Sequence, residues 1–247
     1  MTDVAAAAAA LEGAPALEVL RWAAATFPRV ALATSLGPED GVLLDLIARH
    51  ELAIDVFTLD TGLLFDESRA LWRALEARYQ RPIRAVAPAQ TLAEQATELG
   101  DALWTRAPDA CCARRKLAPL AAELARHDAW ITAIRRDQTA DRATAAVVEL
   151  DRRFGLVKVN PLVAWTSADV WQHLAAHAVP TNPLHARGYP SIGCAPCTSP
   201  VAAGEDPRSG RWRGQAKDEC GLHRREAPAR RLPVVDGVAA GGLRRPT

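Results

Sequence analysis

The five cysteines of this chain fall into three groups. Cys111 and Cys112 are adjacent, Cys194 and Cys197 form a Cys-x-x-Cys loop, and Cys220 stands alone. Four thiolates are enough to hold a metal centre. The fifth thiol is then left over, and a leftover thiol is a candidate nucleophile. The pattern therefore separates into four candidate ligands and one candidate reagent.

The adjacent pair bears on the kind of centre that four cysteines could form. Zinc is usually bound by cysteines with two to four residues between them. An iron–sulfur cube is bulkier, so neighbouring cysteines can serve two different irons, and we favour a four-iron cluster. A zinc site, a redox pair at Cys194 and Cys197, and a plain core role for Cys111 and Cys112 remain alternatives.

The sequence around Cys220 is basic. Residues 206–231 contain eight Lys or Arg against four Asp or Glu. Positive charge favours the reactive thiolate and suits an anionic substrate. Arg208, Arg211 and His223 are the candidate contacts here. The alternative is an inert cysteine in a solvated tail.

Two loops after predicted strands have residues suited to a nucleotide. Ser35 and Gly37 lie between a strand and a helix, where backbone N–H groups could meet a phosphate. Leu59 begins a second such loop, which would lie on the same sheet edge. The first loop is neither a Walker A loop nor a Gly-x-Gly-x-x-Gly turn, so a plain turn capped by Asp40 is the alternative.

Two further cations lie close to these features in the sequence. Lys116 follows Cys112 by one helical turn, where it could couple a metal centre to a nearby anion. Arg142 follows another predicted strand, and its forked donors could pair with an anion. Surface ion pairing with Asp137 and Asp141 is the alternative for Arg142.

Alternating β-rich and helical stretches must position these residues. This alternation predicts an α/β fold, with a parallel twisted sheet covered by helices on both faces and ligands at the carboxyl ends of the strands. Frequent Pro and Gly after residue 179 predict a loop-rich C-terminal segment. The strands are predicted at 29–34, 54–59, 83–87, 130–134, 146–150 and 156–159. The helices are predicted at 15–26, 40–50, 66–79, 90–98, 109–126 and 167–177.

The composition and the termini limit which functions and which cellular compartment we expect for this chain. A net charge of +1 over 247 residues argues against bulk nucleic-acid binding. We expect no membrane span and, without an export signal, a cytoplasmic protein. We expect one domain over residues 15–226, with disorder over 1–14 and 227–247; the alanine run at 5–10 would be a frayed helix or disordered.

The combined motifs resemble the assimilatory sulfonucleotide reductases, most closely the iron–sulfur adenylyl-sulfate reductases of bacteria. The Asn182–Cys197 block and the Glu219–His223 run are the most specific. The matching stretches are Ser35–Asp40 (SLGPED), Leu59–Gly62 (LDTG), Cys111–Lys116 (CCARRK), Arg135–Gln138 (RRDQ), Val159–Leu162 (VNPL), Asn182–Cys197 (NPLHARGYPSIGCAPC), Arg208–Trp212 (RSGRW) and Glu219–His223 (ECGLH). Small departures are Pro38, where Ala is more usual, and Ala133, where Gly often stands.

The resemblance implies a fold like the adenine-nucleotide hydrolases and one [4Fe-4S] cluster on the four paired cysteines. It implies that Cys220 is the nucleophile. It also implies that adenosine meets the Ser35 and Leu59 loops. The residues that would line the phosphosulfate are Lys116, Arg142, Arg208, Arg211 and His223.

The implied activity is reduction of adenosine 5′-phosphosulfate to sulfite and AMP through an S-sulfocysteine on Cys220. Thioredoxin or glutaredoxin would be the reductant, and the reaction would serve sulfate assimilation and cysteine biosynthesis. Use of 3′-phosphoadenylyl sulfate is one alternative, and a non-catalytic iron–sulfur or zinc regulator is another. An ATP-hydrolysing enzyme of the same fold would need a Ser-Gly-Gly-x-Asp-Ser loop. The Ser35–Asp40 stretch does not have that sequence, which argues against this class of enzyme. A homo-oligomer is left open.

Overall fold

The computed structural model describes residues 2–215 together with Lys217 and Gly221. Strands and helices alternate through most of this range, as the sequence predicts. The strands are β1 (Val30–Thr34), β2 (Asp55–Leu59), β3 (Arg84–Val86), β4 (Ala129–Ile131), β5 (Val148–Asp151) and β6 (Leu156–Val159). The helices are α1 (Val4–Leu11), α2 (Ala16–Thr26), α3 (Pro38–Arg49), α4 (Asp66–Tyr79), α5 (Leu92–Leu99), α6 (Leu103–Arg106), α7 (Pro108–Cys112), α8 (Ala118–Leu124) and α9 (Ser167–Ala176).

The six strands form one sheet in the order β3-β2-β1-β4-β6-β5. All neighbouring strands run parallel except β5, which pairs antiparallel with β6. The α/β class and the mostly parallel sheet are therefore confirmed. The antiparallel β5 differs from the all-parallel expectation, because a short hairpin connects it to β6 and a hairpin reverses the chain.

Side chains on each strand alternate between two cores. Along β1, Leu32 faces the larger core and Ala31 the smaller, and on β2 Val56 and Phe57 divide in the same way. This is the period of two that a strand imposes. Helices α2, α3, α4 and α9 cover the larger core, and α8 covers the smaller. Helices therefore lie on both faces, and the strand ends are left open at the edge of the sheet.

The N-terminal residues differ from the expected disorder over 1–14. Residues 4–11 form α1, whose first N–H groups are capped by the carboxylate of Asp3. Val4 and Leu11 pack against the larger core. Alanine has the highest helix propensity of all residues, so a cap and two apolar anchors order a run that looks featureless in sequence.

The helix predicted at 109–126 is divided by a π-helical turn. Residues 113–117 form this turn, with the N–H of Ala118 bonded to the carbonyl of Ala113, and α7 and α8 flank it. Such turns are rare and often occur at functional sites. Here the turn begins directly after Cys111 and Cys112.

The helices of the described residues are short. The longest, α4, has 14 residues, whereas a bilayer crossing takes about 20. None of them has the length and hydropathy that spanning a membrane requires.

Removing a large side chain from the sheet should unfold the protein more easily. Leu32 is fully buried on β1 and Leu150 is 55% exposed on β5. We expect Leu32→Ala to lower the free energy of unfolding by about 3–5 kcal/mol and Leu150→Ala to lower it by about 0.5 kcal/mol or less. Urea denaturation of both variants measures this, and equal losses would contradict the burial assigned to β1.

Candidate functional site

A cavity opens at the carboxyl ends of β1, β2 and β4. Ligands of open parallel sheets bind at this edge. The cavity also touches the long C-terminal loop through Ser191, Ile192 and Gly193. The residues that the strand ends and their loops contribute are Thr34, Ser35, Thr58, Leu59, Thr61, Thr132 and Ala133.

Four of the five basic candidates line this one cavity. Lys116 comes from the π turn, Arg142 from the loop after β4, and Arg208 and Arg211 from the C-terminal segment. Cations gathered from three distant stretches favour binding of an anion. The fifth, His223, lies outside the described residues.

The Ser35 loop is closed by a carboxylate of its own chain. Asp40 accepts hydrogen bonds from the N–H and hydroxyl of Ser35 at 2.9 and 2.7 Å, and from the N–H of Gly37 at 3.0 Å. Ser35 lines the cavity, whereas Gly37 is not among its lining residues. The donors that we expected to meet a phosphate therefore already hold a carboxylate. Asp40 caps the turn from the third position of α3, whereas the capped-turn alternative made it the N-cap, which is Gly37.

Burial dominates the ionisation of Asp40. The carboxyl is almost inaccessible to water, and this raises its pKa to about 6 even though three hydrogen bonds favour the charged form. The neighbouring Glu39 also raises the pKa of Asp40 slightly. Near neutral pH the loop therefore carries a buried negative charge.

Gln138 orients the cation Arg142. Its side-chain oxygen accepts hydrogen bonds from the Arg142 guanidinium at 2.5 Å and from the N–H of Arg135 at 3.0 Å. Its amide group donates to Glu39 at 3.0 Å. The Arg-Arg-Asp-Gln stretch thus connects the start of α3 to Arg142.

The four paired cysteines line a second, smaller cavity. Lys116 and Trp212 line it as well. Cys111, Cys112 and Cys194 are buried and Cys197 is half-buried. The structure therefore brings together two pairs that have 81 residues between them in the sequence. Lys116 and Cys194 also line the cavity at the strand ends, so the two cavities adjoin.

Two backbone contacts hold the Cys-x-x-Cys loop in place. The N–H of Ala195 donates to the carbonyl of Leu63, just beyond β2, at 2.8 Å. The N–H of Trp212 donates to the carbonyl of Cys197 at 3.0 Å. Gly193, at the start of the loop, lies directly against Arg211, because a Cβ at Gly193 would overlap the guanidinium and displace it.

A buried guanidinium connects the π turn to the same region. Arg115 is only 4% exposed. It donates to the carbonyl of Thr61 at 2.5 Å and to the side chain of Gln95 at 3.2 Å. The Thr61 hydroxyl lies 3.3 Å from the sulfur of Cys194. Arg115 and Thr61 thus link the two cysteine-bearing segments.

The spacing of the sulfurs bears on what the cysteines could bind. A Zn–S distance of about 2.3 Å places the sulfurs of a tetrahedral site about 3.8 Å apart. Among the described residues, the groups of three or more candidate ligands within 4.8 Å of one another include none of these cysteines. The sulfurs are therefore spread more widely than one zinc ion requires, and the all-sulfur donor set fits a larger centre.

Two of the thiols, Cys111 and Cys197, resist ionisation in the protein alone. Burial, and then the neighbouring cysteines, raise the pKa of Cys111 and of Cys197 to about 11. Arg115 lowers the pKa of Cys111, and Lys116 and Arg211 lower that of Cys197, by less. Thiolates at these two positions would need more positive charge than these side chains supply.

Several site residues went unrecognised from the sequence alone. Arg115 appeared only within the Cys111–Lys116 stretch and was assigned no role, although burial of an arginine usually signals a polar partner. Thr61 lay in a loop chosen for its nucleotide character, not for a cysteine contact. Trp212 is 3% exposed, has a left-handed backbone (φ 48°) and lies against Arg211. No local pattern predicts any of these contacts.

Cys220, the candidate nucleophile, lies outside the described residues. Two nearby residues are described. Lys217 donates to Asp109 at the start of α7, and Gly221 approaches Leu117 at the end of the π turn. Both contacts are with the helical segment that carries Cys111 and Cys112.

The family model and the most similar curated proteins are all sulfonucleotide reductases. The phosphoadenosine phosphosulfate reductase domain family matches residues 29–200. The adenosine 5′-phosphosulfate reductase of Halalkalibacterium halodurans is 45% identical over 216 residues, which are 87% of this chain and 94% of that protein. The phosphoadenosine 5′-phosphosulfate reductase of Gloeobacter violaceus is 46% identical over 198 residues, 79% of this chain and 82% of that protein.

A solved structure shares the fold. The phosphoadenylyl-sulfate reductase from Candida auris, in a phosphate complex, superposes with a TM-score of 0.72 at 29% identity. The match covers 81% of this chain and 98% of that chain. The fold around the strand-end cavity is thus one that sulfonucleotide reductases use.

The ionisation of Asp40 should appear in the pH dependence of stability. Its pKa rises from 3.8 in the unfolded chain to about 6 in the folded protein, so the folded state holds this proton more tightly. Its contribution to stability is present below about pH 4 and is lost as the pH rises through about 6. Asp40→Asn, which cannot titrate, should lack this component.

Urea denaturation between about pH 4 and pH 7 measures the effect. The unfolding free energy of Asp40→Asn relative to the wild type should rise with pH up to about 6 and then level off. The slope is the readout, because lost hydrogen bonds shift the variant equally at every pH. A difference that does not change with pH would contradict the raised pKa.

Proposed function

The chain belongs to the phosphoadenosine phosphosulfate reductase family, and we propose that it reduces adenosine 5′-phosphosulfate to sulfite and AMP in sulfate assimilation. One observation carries the proposal. A strand-end cavity lined by Lys116, Arg142, Arg208 and Arg211 adjoins a second cavity lined by four cysteines. The first suits a nucleotide with a charged sulfur-bearing end, and the second suits a metal centre beside that end.

The four paired cysteines would hold one [4Fe-4S] cluster. The donor set is entirely sulfur, and the sulfurs are more widely spread than a single zinc ion requires. Thr61 lies close enough to donate to the sulfur of Cys194, and such bonds tune cluster potentials. When bound, the cluster would supply a fixed local charge beside Lys116, and the chemistry below needs no change in its oxidation state.

The basic residues would bind and orient the phosphosulfate. They belong to separate segments that face one cavity, so they can surround a multiply charged group. Arg142 is oriented by Gln138, which lowers the cost of arranging its donors when substrate binds. As the phosphate departs, these cations would stabilise the charge that builds on it. We assign the same role to His223, from the resemblance alone.

Cys220 would be the nucleophile. Its thiolate attacks the sulfur of the sulfate group, an S–S bond forms, and the bond from that sulfur to the phosphate oxygen breaks. AMP leaves with the electron pair, and the enzyme retains an S-sulfocysteine. Basic side chains nearby favour the thiolate that this step requires.

A dithiol protein would complete the cycle. A thiolate of reduced thioredoxin or glutaredoxin attacks the Cys220 sulfur, and sulfite leaves with the electron pair. The reductant's second thiol then resolves the mixed disulfide and regenerates Cys220, so the two electrons come from the dithiol. We place the protein in the cytoplasm, because that compartment keeps such thiols reduced.

The Ser35 loop bears on the choice of nucleotide. Its donors already bind the carboxylate of Asp40, and Glu39 adds a second carboxylate at the start of α3. If adenosine lies against this loop, an extra phosphate on the ribose would face like charge and few unused donors. This favours the unphosphorylated nucleotide over 3′-phosphoadenylyl sulfate, the substrate named for the relative in Gloeobacter violaceus.

Metal analysis of two variants tests the assignment of four ligands and one nucleophile. After anaerobic purification, the wild type and Cys220→Ser should contain about four irons and four sulfides per chain, and Cys194→Ser should contain far less. The wild type should release sulfite from adenosine 5′-phosphosulfate and thioredoxin, and Cys220→Ser should release none, because it cannot form the S-sulfocysteine.

Three outcomes would contradict parts of this proposal. Zinc in place of iron would exclude the cluster. Loss of metal in Cys220→Ser would make Cys220 a ligand. A Cys220→Ser variant that still releases sulfite would remove the nucleophile and leave open a non-catalytic, metal-binding regulator.

Neutralising Asp40 should weaken discrimination between the two nucleotides. We expect the ratio of kcat/KM for 3′-phosphoadenylyl sulfate to that for adenosine 5′-phosphosulfate to rise about tenfold in Asp40→Asn, because a like charge is removed. Asp55→Asn is the matched control, since Asp55 starts β2 at the opposite end from the cavity. Equal ratios in both variants would exclude a role for the loop charge.

A further inference from the structure

Arg153 contacts the residue that follows Cys220 in the chain. It lies in the short turn between β5 and β6, and its guanidinium donates a hydrogen bond to the carbonyl of Gly221. The ring of Phe154 lies 5.4 Å from the same guanidinium. Phe154 in turn contacts Trp130, at 5.8 Å between ring centroids. The Arg153 guanidinium therefore packs against Phe154, which in turn packs against Trp130 on β4, although the Arg153 side chain is itself exposed.

Gly221 also approaches the π turn closely. A Cβ built on Gly221 would lie 3.6 Å from a methyl group of Leu117. The backbone of Gly221 is left-handed, with φ at 86°, which glycine adopts without strain. Leu117 follows Lys116, which lines both cavities. The backbone beside Cys220 is thus attached close to the cation that the two cavities share.

A second contact holds the chain a few residues earlier. The ammonium of Lys217 donates to Asp109, and it lies 5.2 Å from the ring of Trp212. The side chain of Lys217 is only 4% exposed. Lys217 and Gly221 are four residues apart, so contacts on both sides of Cys220 join this stretch to the rest of the protein.

We propose that Arg153 is a positioning residue that holds the Gly221 backbone so that Cys220 reaches the substrate sulfur. The proposal rests on the proposed function, because it needs Cys220 as nucleophile. Arg153 itself touches neither substrate nor sulfur. It acts by restricting the backbone next to the reacting residue.

The expected benefit is entropic. Attack requires the thiolate within about 3–3.5 Å of the sulfur and in line with the bond that breaks. A nucleophile on a segment without such a contact would spend less of its time in that geometry. A charged donor on the Gly221 carbonyl restricts the segment without occupying the cavity, so it should raise the rate of attack and leave nucleotide affinity unchanged.

The chain offers a matched control beside Arg153. Arg152 is also an exposed arginine in the same turn, so Arg152→Ala removes an equal charge from the same place. Arg153→Lys keeps the positive charge and a donor group, but it replaces the planar guanidinium and its forked N–H groups with a compact ammonium. Both substituted positions are on the surface, where changes rarely affect folding.

Hydrogen exchange measures the contact itself and does not depend on activity. In the cluster-loaded protein, the peptide spanning residues 213–225 should exchange about tenfold faster in Arg153→Ala than in the wild type, because the segment opens more often. Arg152→Ala should match the wild type, and Arg153→Lys should be intermediate. Equal exchange in the two alanine variants would overturn the proposal.

A single-turnover experiment measures the positioning. Without reductant, formation of the S-sulfocysteine at saturating adenosine 5′-phosphosulfate should be about tenfold slower in Arg153→Ala than in Arg152→Ala. The Kd for AMP should be the same within about twofold, since Arg153 does not touch the nucleotide. Faster exchange with an unchanged rate would mean that the contact exists but positions nothing, and it would overturn the proposal.

The two proposals fail in different ways. If the wild type forms no S-sulfocysteine, or forms it on another cysteine, the proposed function fails, and positioning of Cys220 fails with it. If the wild type reacts normally and Arg153→Ala matches Arg152→Ala in rate, only the role of Arg153 fails.

Discussion

The buried guanidinium of Arg115 joins the helical segment that carries Cys111 and Cys112 to the end of β2. It donates to the carbonyl of Thr61, and Thr61 contacts Cys194. A buried charge is costly unless its donors are satisfied, so this arrangement tolerates little change. The position of one cysteine pair relative to the other, and of both relative to the strand ends, depends on it.

The π turn at residues 113–117 contains Arg115 and follows directly after the adjacent cysteines. Two adjacent cysteines on a regular helix point about 100° apart, because 3.6 residues complete each turn. The turn that begins at residue 113 breaks this regularity directly after Cys112. It also directs Arg115 inward to Thr61 while Lys116 lines both cavities. One local irregularity thus places a structural cation and a candidate substrate contact side by side.

Charge is distributed unevenly around the strand-end cavity. At the start of α3, Asp40 satisfies the donors of the Ser35 loop with a carboxylate from the same chain. Lys116 and Arg211 lie on the side that borders the cysteines. A nucleotide entering this cavity would meet the internally satisfied Ser35 loop, and it would meet positive charge where the cavity borders the cysteines. Lys116 and Arg211 therefore favour an orientation that places the charged end of a substrate beside the cysteines.

The sequence by itself determined the α/β class and most strand and helix positions, because alternating burial and helical periodicity are local properties. It also determined the grouping of cysteines into pairs and a single residue. Only the tertiary structure decided that Asp40 fills the Ser35 loop, that Gln138 orients Arg142, and that Arg115 is buried. Each of these depends on a hydrogen bond whose value comes from burial, and burial is set by packing between distant segments that no local pattern records.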